Sequence, residues 1–168
     1  MAPAVQDEVD SLVAAWHRER PEVDVGPLQV FSRVSRLAVL ADRERRAAFA
    51  AHDLEPWEFD VLAALRRAGP PYALSPGALL KATLVTSATM THRVDRLVQA
   101  GLVSRSPDPA DRRGVRVALT SSGRIRVDAA LADLVGAEHA LLQGLSAGQR
   151  SDLAGLLRRL LLPLEGSA

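Results

Sequence analysis

The sequence predicts a mainly α-helical (α+β) fold that contains a small β ribbon. Residues 75–81 have the composition of a short helix, and residues 86–100 form the pattern of a second helix that stops at Gly101. The alternating run Val115-Arg116-Val117-Ala118-Leu119 is typical of a strand. Helix, turn, helix and then a two-stranded ribbon with a basic tip is the order of a winged helix-turn-helix. This order predicts a DNA-binding regulator.

Three helices are expected in the first part of the chain. Residues 5–20 repeat apolar side chains every three or four positions until Pro21 ends the run. This helix is too short to be stable alone, so we expect it to dock on another element. A long scaffold helix covers residues 27–52, and a further helix over residues 56–67 begins the winged module with Pro56 in its first turn.

Two more helices are expected after the ribbon, over residues 123–144 and 146–162. Ser121 or Ser122 is expected to cap the first and Ser146 the second. Leucines recur along the last helix at helical spacing, in greater number than one small protomer needs. We therefore expect this helix to contact a second copy of the chain. A lid that folds back over the protomer's own core is the alternative.

These elements divide the chain into three parts. Residues 1–55 hold the extra N-terminal helix and the scaffold and dimerisation helix. Residues 56–120 hold the winged helix-turn-helix, and residues 121–168 hold the C-terminal dimerisation helices. A two-fold dimer would place two recognition helices roughly 34 Å apart, which is one turn of DNA. The expected partner is therefore a palindromic double-stranded DNA operator.

The helix over residues 86–100 is expected to read this DNA. Its apolar side chains form one stripe, and the polar side chains opposite are long enough to reach base edges or phosphates. Residues 106–114, rich in Pro, Asp and Arg, are expected to form the wing turn, whose paired arginines suit a narrow minor groove. An ordinary solvated surface is the alternative for both. The candidate DNA-binding residues are Ser75, Thr86, Ser87, Thr89, His92, Arg96, Arg112 and Arg113.

Composition and spacing exclude several other classes of function. The chain has no cysteine, which excludes disulfides, thiolate metal sites and thiol redox sensing. Its four histidines lack metal-ligand spacing, and it has neither a G-x-S-x-G motif nor a glycine-rich phosphate loop. We therefore expect no enzyme, no metal and no cofactor. The absence of a long apolar run and of a signal-peptide pattern predicts a cytoplasmic protein.

The wing and the start of the next helix carry a recognisable pattern: Asp108-Pro109, Asp111-Arg112-Arg113, Val117, Leu119-Thr120 and Gly123. In this pattern and in the order of its elements, the chain resembles the MarR family of regulators. The resemblance covers nearly the whole chain, and it implies a dimer formed by the terminal helices. Repression is favoured over activation, because the sequence shows no extra surface for contacting polymerase.

Residues 16–24 look like the W-x-x-E-R-P-[DE]-[LV]-D signature of the urate-responsive subgroup of that family. The resemblance implies an effector pocket of Trp16, Asp60, Arg93 and Arg105. A planar anion can stack on an indole and pair with a guanidinium, and it would repel Asp60. We therefore expect a small anion, either urate-like or a polycarboxylate such as citrate or aconitate, to release the DNA.

Three alternatives remain open at this point. The four residues would be structural if Asp60 paired with Arg93 or Arg105 and Trp16 served as packing. The chain could also be a DNA-binding regulator that has no small-molecule effector. A protein-interaction module that uses the leucine-rich C-terminal helix is the third, and it leaves the wing arginines unexplained.

Overall fold

The computed structural model describes residues 6–83, 86–108 and 111–165, without the side chains of residues 111–113 and 165. These residues form seven α-helices and three strands, which confirms the predicted fold class. In chain order the elements are α1 (Glu8–Glu19), α2 (Leu28–Ala50), α3 (Pro56–Arg67), β1 (Ala73–Leu74), α4 (Pro76–Thr83), α5 (Ser87–Gln99), β2 (Val103–Asp108), β3 (Asp111–Leu119), α6 (Ser121–Leu141) and α7 (Ala147–Glu165).

The chain divides by contacts into two compact units, Met1–Arg43 and Glu44–Ala168. Within the described ranges, no helix combines the length and the apolarity that a membrane span requires. The three-part division predicted from the sequence stays a prediction.

In the N-terminal unit, α1 begins at a capping box. The carboxylate of Asp7 accepts the backbone N–H of Val9 at 2.8 Å, while the carboxylate of Asp10 accepts the N–H of Asp7 at 2.9 Å. Each carboxylate thereby satisfies an N–H that has no partner within the helix. The helix therefore starts at Glu8, three residues after the predicted start.

The expected docking of α1 takes place on the first half of α2. Val9 and Val13 are buried together with Val25 in a small apolar cluster. Arg33 of α2 reaches back and pairs with both Asp7 and Asp10, each at 2.8 Å. The short helix is thus held by apolar burial on one side and by ion pairs at its N-terminal end.

The core of the C-terminal unit lies around α3. Val61, Leu62 and Leu65 of this helix are fully buried. The rings of Phe49 and Phe59 stack with their centres 4.0 Å apart and close the core on the side of α2. Buried side chains of α4, α5, the turn that follows α5, the sheet and α6 complete it: Leu79, Met90, Val94, Leu97, Leu102, Val117 and Val127.

The sheet differs from the predicted ribbon in two ways. It has three antiparallel strands in the order β1-β3-β2, because Ala73 pairs with Ala118. The predicted turn over residues 106–114 is also too long, since β2 continues to Asp108 and β3 starts at Asp111. Pro107 fits within β2 because that strand is at the edge of the sheet, where a missing N–H costs no pairing.

The cap of α6 also differs from the prediction. Thr120, rather than Ser121 or Ser122, accepts the N–H of Gly123 at 3.0 Å. The same hydroxyl donates to the carbonyl of Gly101 at 2.8 Å, so a contact distant in the chain selects this residue as the cap.

The last helix begins as predicted, because Ser146 accepts the N–H of Gln149 at 3.3 Å. Its leucines face solvent in the single protomer. Five of them are at least half exposed: Leu156, Leu160, Leu161, Leu162 and Leu164.

Candidate nucleic-acid interface

The helix α5 has a defined start and a defined end. Thr86 is its N-cap, and its hydroxyl lies 3.5 Å from the N–H of Thr89 and 2.9 Å from the Thr89 hydroxyl. The helix ends before Gly101, whose φ of 70° is in the left-handed region that glycine adopts readily. Both ends agree with the prediction, because each is set by residues next to it in the chain.

One face of α5 is buried and the other is open. Met90, Val94 and Leu97 lie in the core. Val98, which the apolar spacing places beside them, is instead 38% exposed. Of the predicted DNA-binding residues on this helix and at its cap, those that face solvent are Thr86, Ser87, Thr89, His92 and Arg96.

Two arginines of α5 lie against one tryptophan of α3. The guanidinium carbon of Arg96 is 5.0 Å from the centre of the Trp57 ring, and that of Arg93 is 5.4 Å away. Arg93, at the border between the two faces, therefore turns toward α3. A cation over the face of an indole is attracted by the negative charge of the ring face. Trp57 thus holds two side chains of α5 in place.

The remaining DNA-binding candidates lie outside α5 and its cap. Ser75 accepts the N–H of Ala78 at 3.2 Å, so its hydroxyl caps α4 and is exposed. Arg112 and Arg113 belong to β3, but their side chains lie outside the described residues.

Arg105 joins the ribbon to α5. Its guanidinium pairs with Asp95 at 2.6 Å and lies 3.4 Å from the carbonyl oxygen of Thr91. It also lines an apolar cavity of about 270 Å³ together with Met90 and Val115. A ligand that binds Arg105 would therefore compete with the contacts that Arg105 makes to Asp95 and Thr91 of α5.

Asp60 has a partner that the sequence did not indicate. Its carboxylate is 2.5 Å from Arg45 of α2, and not next to Arg93 or Arg105 as the structural alternative predicts. Asp60 and Arg45 line a separate cavity of about 250 Å³ with Arg67.

The structure therefore does not gather the predicted effector residues in one cavity of the C-terminal unit. Asp60 lines one cavity, Arg105 lines another, and Arg93 faces Trp57. Trp16 belongs to the N-terminal unit, where it is 48% exposed.

Sequence reasoning missed three residues of this region. Trp57, Arg45 and Arg67 were not among the candidate site residues. One signal was available for Arg67, because it follows Asp60 by seven residues and so shares its helix face. Among the described residues, no cluster of histidine and carboxylate side chains could hold a metal ion.

The comparisons with known proteins agree with this architecture. The sequence model of the MarR family matches residues 52–114. The HTH-type transcriptional regulator PecS of Dickeya dadantii is 39% identical over 152 residues, which cover 90% of this chain and 92% of PecS.

Two solved structures share the fold. A mutant of Escherichia coli MarR complexed with operator DNA has a TM-score of 0.64 and 29% identity, covering 87% of this chain and 97% of that one. BpsR of Bordetella bronchiseptica, whose DNA binding is regulated by 6-hydroxynicotinic acid, has a TM-score of 0.57 and 32% identity, covering 76% of this chain and 98% of that one. This chain belongs to the MarR family, and it is a DNA-binding transcriptional regulator rather than an enzyme.

Proposed function

We propose that the chain is a repressor that binds a palindromic operator as a homodimer and is released by a small anion. The observation that carries this proposal is the open polar face of α5, whose position is fixed by the stacking of Arg93 and Arg96 on Trp57. A helix that presents short hydroxyls, an imidazole and a guanidinium has donors and acceptors for base edges in a major groove.

Each candidate residue has a role in this proposal. Thr89 and His92, near the start of α5, contact base edges, while Arg96 contacts a base or a phosphate. The other candidates position the module on the backbone or in the minor groove. These are Ser75, Thr86, Ser87, Arg112 and Arg113.

The exposed leucines of α7 support the homodimer. Five leucines between Leu156 and Leu164 are at least half exposed, which is more than leucines scattered singly over a surface would give. A two-fold axis between these helices would set two copies of α5 about 34 Å apart, in successive turns of the same DNA groove.

The release step follows from the resemblance to the urate-responsive subgroup. The candidate residues remain Trp16, Asp60, Arg93 and Arg105, and the candidate ligands are urate-like anions and polycarboxylates such as citrate and aconitate. Arg93 contacts Trp57, which holds α5 against α3, and Arg105 pairs with Asp95 of α5 itself. An anion that drew either away would change how the helix is held. A coupling of about 1–3 kcal/mol between anion and DNA is of the ordinary size.

One alternative has a specific observation in its favour. The separate partners of Asp60 and Arg105 are what a regulator without an effector would have. In that case these residues serve only stability.

A DNA-binding titration tests the proposal. Full-length protein is titrated against the intergenic DNA beside its gene at two salt concentrations, with and without urate, citrate or 6-hydroxynicotinate. We expect two protomers per operator, binding that weakens with salt because phosphate contacts release counterions, and release by one anion. Binding that no anion disturbs would leave the regulator without an effector. The proposal is contradicted if binding does not depend on salt. It is also contradicted if the protein binds neither this intergenic DNA nor any sequence selected from a random DNA library.

A further inference from the structure

The cavity beside Asp60 has the chemistry of an anion site. It has a volume of about 250 Å³ and is lined by Arg45, Asp60, Arg67, Ala82 and Thr83. Two guanidinium groups and one carboxylate give it a net positive charge. Its size is just below the roughly 300–1,000 Å³ of pockets for drug-sized ligands, so it suits a smaller molecule.

We infer that a small organic anion carrying an N–H or O–H donor binds between Arg45 and Arg67, beside Asp60, and loosens the end of α4. This inference rests on the proposed function for its assumption that an anion regulates the chain. It adds Arg45 and Arg67 to Asp60, and neither arginine is among the residues that the resemblance to the urate-responsive subgroup implies.

Both arginines have donors to spare. Arg45 uses one N–H for Asp60, out of the five that a guanidinium carries, and its guanidinium carbon lies 5.3 Å from the centre of the Phe49 ring. Arg67 is exposed and makes no hydrogen bond or ion pair with any described residue. An anion with two oxygen acceptors would fill the donors of both groups.

Asp60 sets the remaining requirement for the ligand. An oxygen-only anion placed beside its carboxylate would be repelled. A ligand that also carries an N–H or O–H group can donate to that carboxylate while its own oxygens face Arg45 and Arg67. Hydroxycarboxylates and oxo-substituted ring acids have both features.

The same cavity touches the helix-turn-helix itself. Ala82 and Thr83 are the last two residues of α4, and Thr83 donates its hydroxyl to the carbonyl of Leu79 at 2.8 Å. The N-cap of α5, Thr86, follows three residues later. A ligand that draws Arg45 away from Asp60 therefore rearranges side chains that pack on the first helix of the DNA-binding pair.

Asp60 provides a second link to α5. It follows Trp57 by one turn on α3, and Trp57 contacts Arg93 and Arg96. In this arrangement the anion need not touch α5 in order to change its position.

Calorimetric titration of the full chain tests the inference. Urate, citrate and 6-hydroxynicotinate are titrated separately into wild type, Arg67→Gln and Arg45→Gln. Arg126→Gln is the control, since Arg126 is half-buried like Arg45 but lines a different cavity with His52. We expect one anion to bind wild type and the control within twofold of each other, and to bind the two test variants at least tenfold more weakly.

DNA binding of the same variants without anion separates the two proposals. Because Arg67 is exposed and makes no hydrogen bond or ion pair with any described residue, Arg67→Gln should leave the protein folded. We expect the operator affinity of this variant to stay within twofold of wild type, while release by the anion is lost. The inference is overturned if both test variants bind the anion like wild type, or if Arg93→Gln alone abolishes binding. It is also overturned if no anion binds wild type. The proposed function as a DNA-binding regulator is contradicted only if wild type does not bind DNA.

Discussion

The guanidinium of Arg96 lies over the ring of Trp57, 5.0 Å from its centre, so an exposed arginine holds α5, the proposed DNA-reading helix, against α3. Arg93 contacts the same ring from one turn earlier in α5. Two contacts three residues apart define how α5 is rotated about its axis. In the proposed function, this rotation decides which side chains of α5 reach the DNA.

Replacing Trp57 is expected to weaken operator binding. Two cation–π contacts of about 0.5–1 kcal/mol each are lost in Trp57→Leu, so affinity should fall about 5- to 30-fold. Fluorescence anisotropy with labelled operator measures the change, and urea unfolding checks that the protein is folded. Trp57→Phe keeps a ring face and should lose less. Equal affinities for wild type and the Leu variant would contradict this role.

Two glycines of α6 should respond oppositely to the same substitution. A Cβ at Gly123 would lie 2.0 Å from the carbonyl oxygen of Leu102, a backbone atom that cannot move alone. Gly123→Ala should therefore destabilise the protein by about 1–3 kcal/mol or more. A Cβ at Gly136 meets nothing within 4 Å, and Gly136→Ala should stabilise by about 0.5–1 kcal/mol through helix propensity. Equal shifts in urea unfolding would refute the close approach at Gly123.

The hydroxyl of Thr120 is expected to stabilise the junction between α5 and α6. It accepts from Gly123 and donates to Gly101, at 3.0 and 2.8 Å. Thr120→Ala removes both bonds and should cost about 1–2 kcal/mol of unfolding free energy. Thr120→Ser keeps the hydroxyl and is the control. A Ser variant as unstable as the Ala variant would show that the methyl group, and not the cap, matters here.

The docking of α1 should depend on acid pH. The hydrogen bond from Arg33 holds the pKa of the Asp7 carboxyl below its ordinary value of 3.8. A lowered folded-state pKa means that the stabilisation is complete above the ordinary value and is lost as the pH falls through the folded value. NMR titration of the Asp7 carboxyl checks this, and Arg33→Gln should move its midpoint up toward the ordinary value. Identical midpoints in both proteins would contradict the assigned cause.

Features set by neighbours in the chain were predictable from the sequence. The cap at Thr86, the stop at Gly101 and the helix that starts at Pro56 each depend on a few adjacent residues. The buried stripe of α5 follows from helical spacing, with the exception of Val98, which lies at the margin of that stripe.

Features set by distant residues were not predictable. The two residues of β1 are too few to show alternation, and Pro107 is compatible with a strand only because β2 is at the sheet edge. Thr120 is the cap rather than its serine neighbours because it also reaches Gly101. The pairing of Asp60 with Arg45 joins two helices that the sequence gives no reason to face each other.

The central claim is that the exposed face of α5 reads the operator. The ratio of operator affinity to random-DNA affinity in variants of α5 tests this claim most directly. Affinities for the operator and for random DNA are measured for wild type, Thr89→Ala and His92→Ala, with Thr91→Ala as the control. The Thr91 hydroxyl bonds to the carbonyl of Ser87 at 3.2 Å and is not predicted to face DNA. We predict that each test variant loses about 1–3 kcal/mol of operator binding while its affinity for random DNA is unchanged. If operator affinity is unchanged in both test variants, or falls equally in the control, α5 does not read the operator through this face.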